Sequence, residues 1–119
     1  YKHCEGYAAG ELKHGPLALI EDDIPVIALA PYDENFSKIL SNIQEIKARG
    51  GKIIMITDTK GSNKAKKYCD QILIMPDTNI ITAPIIYSLP IQLIAYYLAV
   101  LLGTDVDQPR NLAKSVTVE

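Results

Sequence analysis

Residues 24–58 read IPVIALA PYDENFSKILSNIQEIKARGG KIIMITD. The first and last seven residues are continuous aliphatic and β-branched runs, which is typical of strands buried on both faces of a parallel sheet. Between them, apolar residues recur at helical spacing and form one stripe: Phe36, Ile39, Leu40, Ile43 and Ile46. Asp33 is predicted to cap the start of this helix, and Gly50 and Gly51 to end it. A strand, a helix and a strand joined by short turns predict parallel pairing with a right-handed crossover.

The same alternation continues beyond this unit. Residues 59–69, TKGSNKAKKYC, predict a loop or a short helix, and residues 70–76, DQILIMP, predict a third short strand that the proline ends. The chain of 119 residues has the length of one small domain. The predicted fold class is therefore α/β, a three-layer α-β-α sandwich around a parallel sheet.

An uncharged run follows, since residues 78–104 contain no Asp, Glu, Lys, Arg or His. Its length is sufficient for a transmembrane helix. However, Pro84 and Pro90 interrupt it, and its flanks carry Asp77 and Asp105 instead of the basic residues that flank membrane helices. The favoured interpretation is a helix packed between the sheet and a second domain or subunit, which Gly103 ends.

Composition limits the partners and the compartment. The formal net charge is −2, which gives no electrostatic case for a nucleic-acid partner. The short lysine cluster is interpreted as a solvated face, with a phosphate or partner role as the alternative: Lys60, Lys64, Lys66 and Lys67. The two cysteines, Cys4 and Cys69, lack zinc-site spacing, so no metal site is predicted. No cofactor is predicted either. Cys69 is predicted to be a buried thiol. Reduced thiols and the lack of a recognisable signal peptide predict a cytoplasmic protein.

Two residues are candidates for chemistry. His14 lies in the glycine-rich stretch of residues 5–20, EGYAAGELKHGPLALI, where it could act as a general acid–base catalyst. A structural hydrogen-bonding role is the alternative for this histidine. Lys114 lies near the end of the chain and could form a Schiff base if a dry pocket lowered its basicity. By composition alone, a solvated lysine is the simpler interpretation.

Three stretches resemble one family. Residues 5–31, the IKARGG helix end at 46–51 and above all residues 103–119, GTDVDQPRNLAKSVTVE, are similar to the C-terminal end of glucosamine-6-phosphate synthases, the isomerizing glutamine–fructose-6-phosphate aminotransferases. The resemblance implies a flavodoxin-like sugar isomerase (SIS) domain. Residues 1–102 would form the C-terminal part of an incomplete second SIS domain, and residues 103–119 a tail that covers the sugar-phosphate site.

The resemblance also implies roles for individual residues. His14, in the ELKHGP motif, would open the sugar ring, working in the active site of the neighbouring subunit of a homodimer. Lys114, in the RNLAKS motif, would form an imine with the open-chain ketose. Ala113 would line the substrate site through its backbone, and Arg110 would seat the tail near the glutaminase interface.

The implied reaction converts fructose 6-phosphate and glutamine-derived ammonia into glucosamine 6-phosphate. A glutaminase domain and a first SIS domain of the same protein would supply the remaining groups, so the 119 residues alone are predicted to be inactive. Without a further strand and helix, the chain is also predicted to expose a strand edge and apolar surface. Two alternatives remain: a non-catalytic SIS domain that senses a sugar phosphate, and an assembly module built on the uncharged helix.

Overall fold

The computed structural model describes residues 2–108 of the chain. The predicted site residues Arg110, Ala113 and Lys114 lie outside this range. Two 3₁₀ turns, Ala9–His14 and Pro16–Leu19, precede the regular elements. The strands are β1 (Pro25–Leu29), β2 (Lys52–Asp58) and β3 (Gln71–Met75), and the helices are α1 (Phe36–Lys47), α2 (Thr59–Ala65) and α3 (Ala83–Leu101).

The three strands form one parallel sheet in the order β1-β2-β3, which confirms the predicted α/β class. Ala28, Met55 and Ile72 lie at matching positions of the three strands and share one face of the sheet. This face packs on α1 and α2, and its buried core comprises Ala30, Phe36, Ile43, Ile46, Ile53, Met55 and Ala65. Leu73 lies on the opposite face, where it borders a groove lined by α3. Helices therefore lie on both faces, and the three-layer arrangement is confirmed.

The two ends of α1 differ in how well the sequence predicts them. The predicted cap Asp33 does not cap the helix, because the helix begins after Asn35 and Asp33 accepts a hydrogen bond from the Asn35 backbone N–H at 2.8 Å. The predicted glycine stop is confirmed. Gly50 has φ of +85°, and the Gly51 N–H donates back to the Ile46 carbonyl at 3.3 Å.

The segment after β2, for which the sequence predicted a loop or a short helix, forms helix α2. Asp58 caps it by accepting hydrogen bonds from the backbone N–H groups of Lys60 and Gly61, at 2.9 and 3.0 Å. Gly61 is buried, and a Cβ atom there would lie 2.0 Å from the Thr57 hydroxyl oxygen. The absence of a side chain at Gly61 therefore lets the first turn of α2 lie directly on β2.

The uncharged run forms α3, and one expectation about it needs correction. Neither proline breaks the helix, since Pro84 lies in its first turn and Pro90 lies within it. Among residues 2–108, only Tyr87 and Pro90 of α3 are buried, so its packing against a second domain or subunit stays a prediction. Gly103, with φ of +67°, follows the end of the helix as predicted.

Most of α3 is exposed and apolar. Over its most apolar window the mean hydropathy is 1.6, and among the described residues it is the one helix whose length and composition would allow it to cross a membrane. Core helices of soluble proteins meet the same criterion. The predicted exposure of apolar surface is also seen at β1, where Ile27 and Leu29 are 38% and 42% exposed on the sheet face opposite α1.

Candidate functional site

The GELKHGP segment forms a compact double turn between the N-terminus and β1. Residues Ala9–His14 make one 3₁₀ turn, and Pro16 opens the next, where its fixed φ suits the first helical position. Gly15 joins them with φ of +145° and ψ of −53°, a conformation that side chains rarely adopt. The glycine and the proline therefore define the path of the chain directly after His14.

Two contacts anchor the first turn on the body of the domain. Leu12 is half-buried against the hydrophobic core, and the ammonium of Lys13 lies 2.7 Å from a carboxylate oxygen of Glu45 in α1. Leu17 of the second turn also packs on the core. The backbone that carries His14 is thus held against the body of the domain on both sides of this residue.

His14 itself points outward from this anchored turn. Its side chain is 72% exposed, and its ring Nδ1 lies 2.8 Å from a carboxylate oxygen of Glu11. A carboxylate accepts hydrogen bonds and cannot donate one, so Nδ1 carries the proton of this bond. The second ring nitrogen, Nε2, is the one that can serve a reacting molecule. The ring of His14 therefore lies at the surface of the described part of the chain.

A second polar group lies where the strands end. Asp58, which is buried, is the last residue of β2 and accepts a hydrogen bond from the Tyr32 backbone N–H at 2.7 Å. The Lys64 ammonium lies 2.5 Å from the Tyr32 hydroxyl and 4.8 Å from the centre of its ring. In open parallel sheets, ligands bind beyond the carboxyl ends of the strands. Sequence reasoning missed Asp58 and Tyr32, because a residue at a strand end shows no periodicity that distinguishes it.

Helix α3 carries a tyrosine, Tyr87, whose hydroxyl is buried. Its oxygen has no hydrogen-bond partner by the usual geometric criteria among the described residues. Burial is the main cause that raises the pKa of Tyr87 to about 12, and the carboxylates of Asp58, Asp77 and Asp33 add to this effect. The phenol therefore stays protonated throughout the physiological pH range.

The two cysteines give no indication of a functional site. Cys69 is half-buried with its sulfur 4.0 Å from that of Met55, and burial raises the pKa of the thiol. Cys4 is exposed, next to a His3 whose ring bonds to Glu5. Across residues 2–108, no three His, Cys, Asp or Glu side chains are grouped so that they could hold a metal ion.

Comparison with protein families places this geometry in context. The family profile of the SIS domain matches residues 1–102, which is most of the chain. The chain belongs to the SIS domain family. The sugar isomerase resemblance inferred from the sequence motifs is therefore confirmed at the level of the domain.

Two similar proteins carry the same enzyme name. The chain is 62% identical to a glutamine–fructose-6-phosphate aminotransferase (isomerizing) of Mesorhizobium japonicum and 63% identical to one of Bartonella henselae. Each comparison covers all 119 residues of this SIS domain chain and 20% of the relative. The chain thus spans about a fifth of the length of these relatives.

A solved structure agrees with both findings. The C-terminal domain of glucosamine-fructose-6-phosphate aminotransferase from Francisella tularensis superimposes with a TM-score of 0.81 and 42% sequence identity. The match covers 87% of this chain and 29% of that structure. The SIS fold described above is therefore shared with a solved domain of an aminotransferase.

Proposed function

We propose that this SIS domain is part of an enzyme that makes glucosamine 6-phosphate from fructose 6-phosphate and glutamine-derived ammonia. The observation that carries the proposal is the identity of about 60% over the whole chain with aminotransferases of that name. The GELKHGP turn supports it, because the fold anchors this turn while leaving His14 exposed.

The proposed task of His14 is to open the sugar ring. In the furanose form, the hydroxyl on C2 loses a proton as the C2–O5 bond breaks, and O5 gains a proton. A positioned imidazole can perform both transfers, because Nε2 accepts a proton as a base and returns it as an acid. The exposure of His14 on an anchored turn supports this proposed role.

Lys114 is proposed to act on the opened sugar. Its amine would attack the C2 carbonyl, lose water and form an imine, which ammonia then displaces. Ala113 would contact the substrate through its backbone, and Arg110 would seat the tail near the glutaminase domain. These three assignments follow from the position of the RNLAKS motif in residues 103–119.

Borohydride trapping tests the role of Lys114. The full-length enzyme is incubated with fructose 6-phosphate and sodium borohydride and then digested for mass spectrometry. The expected result is a reduced sugar adduct on the peptide that contains Lys114, and a matched Lys60→Ala variant retains it. If the adduct persists in Lys114→Ala at another lysine, the proposed role of Lys114 is wrong.

We also propose a homodimer in which His14 serves the neighbouring active site. Each site would then combine Lys114 of one subunit with His14 of the other. Mixing His14→Asn and Lys114→Ala subunits should therefore restore activity, because one site of each mixed dimer receives both intact residues. Mixed dimers without activity would show that both residues serve the same subunit, or that no shared site exists.

The remaining parts of the proposal concern the surrounding protein. The glutaminase domain and a first SIS domain would supply ammonia and the sugar-phosphate site, so the 119 residues alone should form no glucosamine 6-phosphate. The reaction is proposed to need no cofactor and to take place in the cytoplasm. Cell fractionation with an antibody to the chain tests the location.

A sugar-phosphate sensor is the alternative to an enzyme. A sensor would use the same SIS fold but would not need the lysine of the tail. Loss of turnover by about tenfold or more in full-length Lys114→Ala would favour the enzyme, since removal of a catalytic nucleophile lowers kcat by much more than this. Unchanged turnover would favour the sensor.

A further inference from the structure

We infer that Glu11 is the positioning residue for His14, holding its ring so that Nε2 faces the sugar. This inference rests on the proposed ring-opening function of His14. Glu11 itself would not touch the substrate, because its carboxylate is engaged with the far nitrogen of the ring.

The 3₁₀ conformation is what brings the two side chains together. In a 3₁₀ helix, residues three apart in sequence lie on the same side. Glu11 and His14 are three apart in the turn Ala9–His14, and their side chains meet at 2.8 Å. An α-helical turn would offset the two side chains by about 60° around the axis, whereas the 3₁₀ turn places one directly above the other.

The two residues between Glu11 and His14 anchor the turn, while this pair lies on its exposed side. Leu12 packs on the core and Lys13 pairs with Glu45 of α1. Glu11 and His14 are 64% and 72% exposed. Exposed ion pairs contribute little to stability, so the stability of the domain does not explain why this carboxylate contacts the histidine.

The pairing has a direct chemical consequence. With Nδ1–H donated to Glu11, the neutral ring presents the lone pair of Nε2, which accepts the proton of the C2 hydroxyl. As the C2–O5 bond breaks and C2=O forms, the imidazolium returns that proton to O5. The Glu11 carboxylate stabilises the positive ring during this transfer, as a carboxylate does for a catalytic histidine elsewhere.

The test compares two substrates on the full-length enzyme. Fructose 6-phosphate closes its ring through O5, whereas 5-deoxyfructose 6-phosphate lacks that oxygen and remains an open ketone. Glu11→Ala is expected to lower kcat on fructose 6-phosphate by about tenfold, with KM within about twofold of wild type. On the deoxy substrate, the same variant should match wild type, because no ring has to open.

Matched variants separate positioning from folding. Glu11→Gln keeps the shape and accepts the Nδ1–H bond without the charge, so its kcat should lie between those of Glu11→Ala and wild type. Glu21→Gln, which removes another exposed carboxylate before β1, should leave both activities unchanged. If Glu11→Ala loses activity equally on both substrates, the residue is only structural and the inference is overturned.

His14→Asn distinguishes this inference from the proposed function. If His14→Asn loses activity on fructose 6-phosphate while Glu11→Ala does not, His14 keeps its role and Glu11 has none. If His14→Asn is fully active on fructose 6-phosphate, the ring-opening role itself is wrong, and the inference about Glu11 is overturned with it.

Discussion

The carboxylate of Asp58 connects the ends of two neighbouring strands, because its Oδ2 accepts the backbone N–H of Tyr32, just after β1, at 2.7 Å. Its other oxygen caps α2 through the N–H groups of Lys60 and Gly61. This one buried side chain therefore accepts hydrogen bonds from three backbone N–H groups, one just after β1 and two in the first turn of α2.

Replacing Asp58 should destabilise the domain. We expect Asp58→Ala to lower the free energy of unfolding by about 2 kcal/mol, since it removes a helix cap and leaves the part-buried Tyr32 N–H without an acceptor. Asp58→Asn should cost less, because its amide oxygen can still cap α2. Urea unfolding followed by circular dichroism measures both, with the exposed Glu34→Gln as the control; equal stability of Asp58→Ala and wild type would contradict this role.

Gly61 should not tolerate even a methyl group. A Cβ atom there would lie 2.0 Å from the Thr57 hydroxyl oxygen and 2.8 Å from a ring carbon of Phe36. Although alanine favours helices, we expect Gly61→Ala to cost about 1–3 kcal/mol through overpacking. Gly10→Ala is the matched control, because nothing lies within 4 Å of the position that its methyl group would occupy. Thermal unfolding in which both variants behave alike would contradict the packing argument.

The ion pair between Lys47 and Asp70 should make stability depend on acid pH. The Lys47 ammonium donates to both carboxylate oxygens of Asp70 at 2.7 and 2.8 Å, and the Ile53 N–H donates to one of them. These hydrogen bonds lower the pKa of Asp70, and the one from Lys47 has the larger effect. A lowered folded-state pKa stabilises the fold above the unfolded value of about 4, and this contribution disappears as pH falls through the folded value.

The variant Asp70→Asn tests the direction of this pH dependence. The variant should unfold at a lower temperature than wild type at pH 7, and the difference should shrink as the pH is lowered from about 5 towards 3. Asp107→Asn, an exposed residue beyond α3, is the control. If the difference between Asp70→Asn and wild type grows as the solution becomes more acidic, the predicted direction of the pH dependence is wrong.

The apolar surface of α3 should cause the separate 119-residue chain to associate. Leu101 is 82% exposed and Tyr97 is 64% exposed, and both line the groove beside Leu73. Exposed apolar patches of this kind mark interaction surfaces. Sedimentation velocity should show association that rises with concentration, and Tyr97→Lys with Leu101→Lys should reduce it. A clean monomer at high concentration would count against an interface on α3.

How far the sequence predicts the molecule depends on the range of the interactions involved. The strands, α1 and its stop at Gly50 are recognisable because hydrophobic periodicity and the left-handed conformation of glycine are local properties. The predicted cap at Asp33 is wrong, because a short polar side chain can form a turn just before a helix as readily as it can cap one. The SIS family is recognisable from the motifs, but neither composition nor periodicity could have identified it.

By itself, the sequence determined the order of the elements, the parallel α/β class and the residues that are candidates for chemistry. Only the tertiary structure decided that Asp58 connects two strand ends, that Gly61 lies against Thr57 and that Glu11 engages His14. The physical reason is that these relationships depend on distances across the fold and on the pitch of a single turn. The pattern of residue types along the chain specifies which segments are buried, whereas the packed sheet and helices determine which polar atoms meet.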